Sequence, residues 1–356
     1  MIRSCSHSLL FAVVLATISC SARAQRAPAD SIERYVRSEM ERQHIPGLAL
    51  AVVKGGRVFH VQGFGFADRE RQIPVTPQTV FKIGSVSKQF LATGIMLLLQ
   101  DGRVSLDDPV SKYLDGTPET WQAITLRHLL THTSGIVREG PAFNPMLKLP
   151  DIDVIRSAYA APLEFKTGTK FQYCNVCYFA LAEVISRVSG RPWNVFLRER
   201  VFAPARMEAT ATTADSLPNR ARGYDWRDDS MYVAPDWPAL RPSGAFVSSV
   251  LDLARWDSVL YSEAILTRAS KERMWTKPRL KSGAESGYGF GWYLDTFAGR
   301  STVHHGGSLP GFRAQLTRFP SDSLTIIVLA NGDDARPPLI AREVAEIMLA
   351  TLRSPR

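Results

Sequence analysis

Segments typical of β-strands lie at both ends of the chain, whereas the middle has mostly helical patterns. Near the beginning, LALAVVKGGRVFHVQGFGFA reads as two strands around a Gly55-Gly56 turn. Near the end, the strand-like segments are SGYGFGWYLD, STVHHGG, GFRAQLTRFP and SLTIIVLANG. Because strands must pair to bury their apolar faces, we expect an α+β fold in which one antiparallel sheet is assembled from both chain ends.

Helices are expected to flank this sheet. SIERYVRSEMERQ has helical spacing of its apolar residues near the start, and PPLIAREVAEIMLATL forms a closing helix. From Phe90 to about Leu240, helical segments alternate with loops rich in proline and glycine. We therefore predict an α/β subdomain made of residues 25–88 and 241–356, with a mostly helical subdomain, residues 89–240, inserted between its halves.

The first 24 residues have the pattern of a secretory signal peptide. Arg3 precedes an apolar segment at residues 9–18, and Ala22-Arg23-Ala24 provides a small-x-small cleavage site. The apolar segment is shorter than the roughly 20 residues that span a bilayer. A second interpretation is lipoprotein cleavage before Cys20, which would leave that cysteine acylated as a lipid anchor. We expect an exported protein, periplasmic or secreted, without a transmembrane span.

Charge and cysteine content exclude several classes of function. The chain has 356 residues and a formal net charge of +9, but the basic residues are dispersed and no nucleic-acid motif is present. We expect a solvated basic surface with a mild preference for anionic substrates or envelope surfaces.

Beyond the signal segment the cysteines are Cys174 and Cys177. Two cysteines cannot complete a four-ligand zinc site, and the histidines lack metal-ligand spacing. We expect small buried thiols, with a local disulfide as the alternative, and neither a metal nor a cofactor.

The stretch FKIGSVSKQF places Ser85 and Lys88 three residues apart, just before the apolar run LATGIMLLLQ. On a helix this spacing brings the two side chains together. A lysine that is desolvated or crowded by another cation has a lowered pKa, so it can accept a proton from a serine hydroxyl. The alternative is that Ser85 caps the helix and Lys88 extends along the surface into solvent.

Two further segments carry groups that could join this pair. In FQYCNVCYFALAEV, Tyr173 and Asn175 stand two residues apart, so in an extended backbone both side chains point into one cleft. Asn175 could alternatively cap the helix that follows. In VHHGGSLPGF, the two glycines after His305 allow close approach of a ligand, and the N–H groups of Ser308 and Ser85 could form an oxyanion hole.

These three motifs, in this order, resemble those of the serine β-lactamase and penicillin-binding-protein superfamily, in particular its class C-like branch of esterases, D-aminopeptidases and other serine hydrolases. LRHLLTHTSGI and YGFGWY strengthen the resemblance. It implies one catalytic unit over residues 32–352, with Ser85 as the acylated nucleophile. Lys88 and Tyr173 would share the general-base role. Substrate would be bound by a further set: Asn175, His305, Gly306, Gly307 and Ser308.

The third motif departs from the Lys-Thr-Gly usual in β-lactamases and D,D-peptidases of this superfamily. The His-Gly-Gly at residues 305–307 lacks the ammonium and hydroxyl that hold a substrate carboxylate. Arg313 is a candidate for a replacement charge. A Lys-Thr-Gly does occur at residues 166–168, but it precedes Tyr173 and so does not match the motif order.

The expected function follows from this departure. We expect an exported serine hydrolase that acts on an ester or a small D-amino-acid-type amide. One alternative is a β-lactamase or D,D-carboxypeptidase that binds penicillin. An alternative of another class is a non-catalytic binding or scaffold protein with the same fold. The sequence leaves the oligomeric state open.

Overall fold

The computed structural model describes residues 28–213, 215–238 and 240–353. The predicted signal peptide and Cys20 lie outside these residues, so both stay predictions. Within the described ranges, no helix combines the length and the apolar character that a membrane crossing requires.

A seven-stranded antiparallel sheet forms the centre of the fold and is built from both chain ends, as predicted. Its strand order is β3-β2-β1-β12-β11-β10-β9. The N-terminal strands are β1 (Gly47–Lys54), β2 (Arg57–Asp68) and β3 (Ile73–Pro74). The C-terminal strands are β9 (Tyr293–Phe297), β10 (Arg300–Leu309), β11 (Phe312–Phe319) and β12 (Leu324–Ala330). The two halves meet where β1 pairs with β12, and the α+β class is confirmed.

Alternation along β1 explains the layers on the two faces of the sheet. Leu48, Leu50 and Val52 face a core shared with two terminal helices, α1 (28–42) and α9 (Pro337–Arg353). Ala49 and its alternate neighbours face the second, larger core, which includes the helical part of the chain. Because β1 is covered on both faces, it is almost continuously apolar.

The helical part surrounds α2 (Lys88–Gln100), whose residues are buried on every side up to Leu98. A helix that is apolar all round belongs inside a core. It packs against α5 (Asn175–Ser189) so closely that a Cβ on Gly94 would lie 2.7 Å from Ile185. The remaining helices are α3 (Leu126–Leu130), α4 (Asp151–Ser157), α6 (Trp193–Leu197), α7 (Val250–Val259) and α8 (Arg268–Met274).

Short strands join the helical part to the main sheet. A three-stranded sheet contains β4 (Phe81–Lys82), β5 (Ala211–Thr212) and β8 (Phe246–Ser248), and a hairpin contains β6 (Tyr224–Arg227) and β7 (Ser230–Val233). The predicted division into two subdomains, and the single unit over 32–352, stay predictions.

The prediction of a long strand over SGYGFGWYLD is wrong for most of its length, because β9 begins only at Tyr293. Gly289 and Trp292 are joined by a turn hydrogen bond of 2.8 Å, and Gly291 has a φ of +78°. A positive φ is available to glycine and interrupts a strand.

Candidate active site

Ser85 lies in a short turn between β4 and α2. Residues Gly84–Ser87 form one turn of 3₁₀-helix that runs directly into α2 at Lys88. Gly84 has a φ of +50°, and a Cβ there would lie 2.8 Å from the backbone nitrogen of Ser308. The absent side chain therefore lets the turn carrying Ser85 pack directly against β10.

Lys88 is fully buried, so the surface alternative for this lysine is wrong. Its Nζ lies 3.2 Å from Oγ of Ser85, 2.8 Å from Oδ1 of Asn175 and 3.1 Å from the carbonyl oxygen of Ser243. Burial, and secondly the positive charge of Arg138, hold the pKa of Lys88 well below its usual value of 10.5. This shift favours the neutral form of the amine relative to an ordinary lysine, and a neutral amine can accept a proton.

Tyr173 lies beside this amine. Nζ of Lys88 is 4.7 Å from the centroid of the Tyr173 ring, and the Tyr173 hydroxyl is 3.5 Å from Nε2 of His305. Burial raises the pKa of Tyr173 well above 10.0, although a hydrogen bond with Ser85 opposes this shift. The phenol therefore stays protonated and can donate a proton.

Asn175 is the first residue of α5 rather than its cap. The cap is Cys174, whose sulfur accepts a hydrogen bond from the N–H of Cys177, so the capping alternative for Asn175 is wrong. We expected an extended backbone from Tyr173 to Asn175, but it ends at Cys174. The side chain of Asn175 still reaches the site. Its Oδ1 accepts from Lys88, and its Nδ2 donates to Oε1 of Glu139 over 2.8 Å.

The Cys174–Cys177 pair forms a disulfide, so the expectation of two free thiols is wrong. Cys174 has an extended backbone and precedes the first turn of α5, which brings the two Cα atoms to 5.4 Å. That separation lies within the range that a disulfide spans. Sequence spacing alone could not distinguish the two states, because the same spacing suits free thiols and disulfides.

The third motif lies on β10 beside the Ser85 turn. A Cβ on Gly307 would lie 1.9 Å from the carbonyl oxygen of Ile83 and 3.3 Å from the backbone nitrogen of Ser85. Only glycine permits this approach. Gly306 and Ser308 flank it and line the same cleft. The strand thus brings the Ser308 backbone near that of Ser85, and the oxyanion hole formed by their N–H groups stays a prediction.

His305 is buried and electrically neutral. Nδ1–H donates to the carbonyl oxygen of Gly306 over 2.6 Å, so Nε2 accepts from the hydroxyl of Tyr288 over 2.9 Å. Burial lowers the pKa of His305 from 6.5 to about 3. The ring therefore forms a wall of the site and supplies no positive charge for a carboxylate.

A cleft of about 680 Å³ opens in front of Ser85. Among the described residues, its charged lining consists of Arg138, Arg313 and Arg336, without a carboxylate. Arg313 forms an ion pair of 2.7 Å with Asp333 and donates to two backbone carbonyls, so its charge is already compensated. The cleft is therefore electropositive mainly through Arg138 and Arg336.

Several residues of the site were not predicted as such, although Tyr288 and His132 lie in the phrases YGFGWY and LRHLLTHTSGI that support the resemblance. Glu139 contacts Asn175, Tyr288 contacts His305, and the Ser243 carbonyl contacts Lys88. His132 is buried, with its ring centroid 4.3 Å from that of Tyr173. Its Nδ1 accepts from the N–H of Cys174 over 3.1 Å. It thus supports the loop that carries Tyr173.

The Lys-Thr-Gly at residues 166–168 lies outside the cleft lining, and its Thr167 hydroxyl donates to the carbonyl of Ser134. No group of three or more metal-ligating side chains occurs within residues 28–213, 215–238 and 240–353.

Comparison with known proteins agrees with this geometry. The Beta-lactamase family model matches residues 32–348. Penicillin-binding protein 4* of Bacillus subtilis (strain 168) is 29% identical over 318 residues, which cover 83% of this chain and 70% of that protein.

Solved structures show the same fold. An octameric penicillin-binding protein homologue from Pyrococcus abyssi superimposes with a TM-score of 0.80 at 28% identity, covering 90% of this chain and 77% of that one. The D-amino acid amidase of Ochrobactrum anthropi SV3 shares the fold with a TM-score of 0.76 at 24% identity, covering 93% of this chain and 97% of that one. The chain therefore belongs to the Beta-lactamase family, within the superfamily of serine β-lactamases and penicillin-binding proteins.

Proposed function

We propose that this protein is an exported serine hydrolase that cleaves esters or small D-amino-acid-type amides through an acyl-enzyme on Ser85. The observation that carries the proposal is the buried Lys88, whose Nζ lies 3.2 Å from Oγ of Ser85. A neutral amine at this distance activates a hydroxyl that would otherwise be a weak nucleophile.

In the acylation step, Oγ of Ser85 attacks the substrate carbonyl carbon while its proton passes to Nζ of Lys88. The N–H groups of Ser85 and Ser308 stabilise the developing oxyanion. The bond to the leaving group then breaks, and the leaving group takes a proton from the Lys88–Tyr173 pair. Water attacks the resulting ester in the second step, which releases the acid and restores the Ser85 hydroxyl.

The opposite pKa shifts of the two candidate bases support a division of roles. The lowered pKa of Lys88 favours a neutral amine that accepts the serine proton. The raised pKa of Tyr173 favours a phenol that passes a proton to the leaving group. In this assignment Lys88 is the principal base, and Tyr173 serves as the donor.

The substrate class is inferred from the third motif. Because His305 is neutral and hydrogen-bonded to Tyr288, the motif lacks the ammonium that would hold a β-lactam carboxylate. This favours esters and small amides.

A second candidate function is β-lactam binding or hydrolysis. The relative from B. subtilis is named a penicillin-binding protein, and the cleft contains Arg138 and Arg336, which could attract a carboxylate in place of the third motif. Export rests on the signal pattern in residues 1–24.

A substrate panel tests the proposal. Purified mature protein and its Ser85→Ala variant are assayed with p-nitrophenyl esters, D-alanine p-nitroanilide and the chromogenic cephalosporin nitrocefin. We expect turnover of an ester or the D-anilide by the wild type and none by the variant, whose fold is checked by circular dichroism. Turnover of nitrocefin alone would instead support the second candidate. Equal turnover by the folded variant contradicts the proposed nucleophile.

A further inference from the structure

The side-chain amide of Asn175 is held from both sides. Its Oδ1 accepts a hydrogen bond from Nζ of Lys88, and its Nδ2 donates to Oε1 of Glu139, each over 2.8 Å. A carboxylate can only accept hydrogen bonds at neutral pH. Rotating the amide by half a turn would set its carbonyl oxygen against the carboxylate and its NH₂ group against the amine. Glu139 therefore decides which end of the amide faces Lys88.

The orientation of this amide matters because Lys88 must present its lone pair to Ser85. A neutral lysine amine has two N–H bonds and one lone pair, and three oxygen atoms surround Nζ. If Asn175 Oδ1 and the Ser243 carbonyl take the two N–H bonds, the lone pair is left for the proton of Ser85. The Ser243 acceptor belongs to the backbone, so the amide of Asn175 is the adjustable partner.

We propose that Glu139 is a positioning residue of the active site, which fixes the amide of Asn175 so that the lone pair of Lys88 faces Ser85. The inference rests on the proposed function, because it takes Lys88 as the base. Glu139 acts through Asn175 rather than through direct contact with the reacting atoms.

The loop that carries Glu139 is attached to the start of α5. The carbonyl oxygen of Arg138 accepts from the backbone N–H of Asn175 over 2.8 Å and from that of Val176 over 3.3 Å. The Glu139 side chain is 35% exposed, and the nearest guanidinium atom of Arg138 is 4.0 Å away. The short hydrogen bond to Asn175 is thus its main polar contact.

Glu139 also acts on Lys88 through its charge. From the same loop, Arg138 lowers the pKa of Lys88 and Glu139 raises it. The other groups facing the amine are the rings of Tyr173 and Tyr178 and the imidazoles of His132 and His305.

Burial lowers the pKa of both imidazoles and raises the pKa of both phenols, so all four rings are neutral near pH 7. Removing the negative charge of Glu139 should therefore shift the titration of Lys88 to lower pH.

Two substitutions separate the hydrogen bond from the charge. Glu139→Ala removes both, whereas Glu139→Gln keeps an oxygen that can accept from Asn175 and removes only the charge. The matched control is Glu183→Gln on α5. Glu183 is 22% exposed and forms an ion pair with Arg187, eight residues along the helix from Asn175 and so roughly 12 Å away.

The experiment measures kcat and KM for a p-nitrophenyl ester across pH, together with the rate at which a fluorophosphonate probe labels Ser85. We expect Glu139→Ala to lower kcat and the labelling rate by about 10- to 100-fold with little change in KM. Glu139→Gln should recover most of kcat, with the acidic limb of its pH profile displaced to lower pH. Glu183→Gln should match the wild type.

The inference is overturned if Glu139→Ala keeps kcat, the labelling rate and the pH profile within about twofold of the wild type. It is also overturned if Glu139→Gln loses as much activity as Glu139→Ala without any shift of the profile. Failure of the proposed function looks different, because Ser85 of the wild type would then remain unlabelled or Ser85→Ala would stay active.

Discussion

The hydroxyl of Tyr288 donates a hydrogen bond to Nε2 of His305 over 2.9 Å. The other ring nitrogen of His305 donates to the Gly306 carbonyl, so both nitrogens of this imidazole have partners in its neutral form. Protonation would add a hydrogen where the Tyr288 hydroxyl already points. The third motif therefore presents a neutral, fixed ring in the cleft that Ser85 lines.

The neutral His305 predicts how the free energy of unfolding depends on pH. Folding lowers the pKa of His305 from 6.5 to about 3, so below pH 6.5 the unfolded chain binds a proton that the folded protein does not. As the pH falls from 6.5 to about 3, the free energy of unfolding of the wild type should fall relative to that of His305→Asn by about 1.4 kcal/mol per pH unit. Urea denaturation at several pH values measures the difference. A difference that does not change between pH 6.5 and pH 3 contradicts the neutral ring.

Burial of Lys88 leads to a similar prediction for stability at alkaline pH. The pKa of Lys88 in the folded protein lies well below its usual value of 10.5. At a pH between the folded-state pKa and 10.5, the lysine therefore binds a proton in the unfolded chain but not in the folded protein. The stability of the wild type relative to Lys88→Met should therefore rise with pH, by about 1.4 kcal/mol per unit up to about pH 10.5.

Urea denaturation of both proteins across alkaline pH gives this slope. Lys112→Met, at a side chain that is 53% exposed, controls for the loss of a lysine at the surface. If the difference in free energy of unfolding between the wild type and Lys88→Met does not change with pH, the buried amine stays protonated. It could not then act as the base.

The disulfide between Cys174 and Cys177 encloses Asn175 and directly follows Tyr173. Replacing both cysteines by alanine should lower the free energy of unfolding by about 2 kcal/mol, as expected for a short closed loop. It should also lower kcat, because the loop that carries Tyr173 and Asn175 loses its cross-link. Urea denaturation and steady-state kinetics measure the two effects.

Alkylation in denaturant, with and without a reductant, tests the cross-link itself. We expect both cysteines to react only after reduction. Two reactive thiols in the unreduced mature protein would show that the pair is not bonded.

The charge of the cleft predicts a substrate preference. Arg336 is exposed at the cleft, and its side chain has no ion-pair partner within the part of the chain that the structure describes. Arg336→Ala should raise KM for mono-p-nitrophenyl succinate by about 5- to 10-fold and leave KM for the neutral p-nitrophenyl butyrate unchanged.

Arg279→Ala is the matched control, because Arg279 is 72% exposed, is paired with Glu285 and lies outside the cleft lining. Equal changes in KM for both esters would argue against an anion-binding role of Arg336.

Much of the fold could be predicted because its signals are local. Alternating apolar residues, Phe312, Ala314 and Leu316, mark β11, and a nearly continuous apolar run marks β12, which is covered on both faces. The segment before β9 could not be predicted, because the positive φ of Gly291 depends on tertiary packing: a Cβ there would lie 2.8 Å from the carbonyl of Lys88.

The site was predictable where motif spacing carries the chemistry, as in the pair of Ser85 and Lys88. Glu139 was not predictable, because it reaches Asn175 across 36 positions of sequence from a loop without a distinctive pattern. The oxidation state of Cys174 and Cys177 was missed for a different reason: it depends on the backbone angles at the start of α5.

The most direct test of the central claim is the location of the acyl group during turnover. The protein is mixed with p-nitrophenyl acetate, quenched in acid, digested and analysed by mass spectrometry. We predict an acetyl group on Ser85 of the wild type and no acetylated peptide from Ser85→Ala. An acetyl group on another residue, or turnover that persists in Ser85→Ala, would contradict the acyl-enzyme on Ser85.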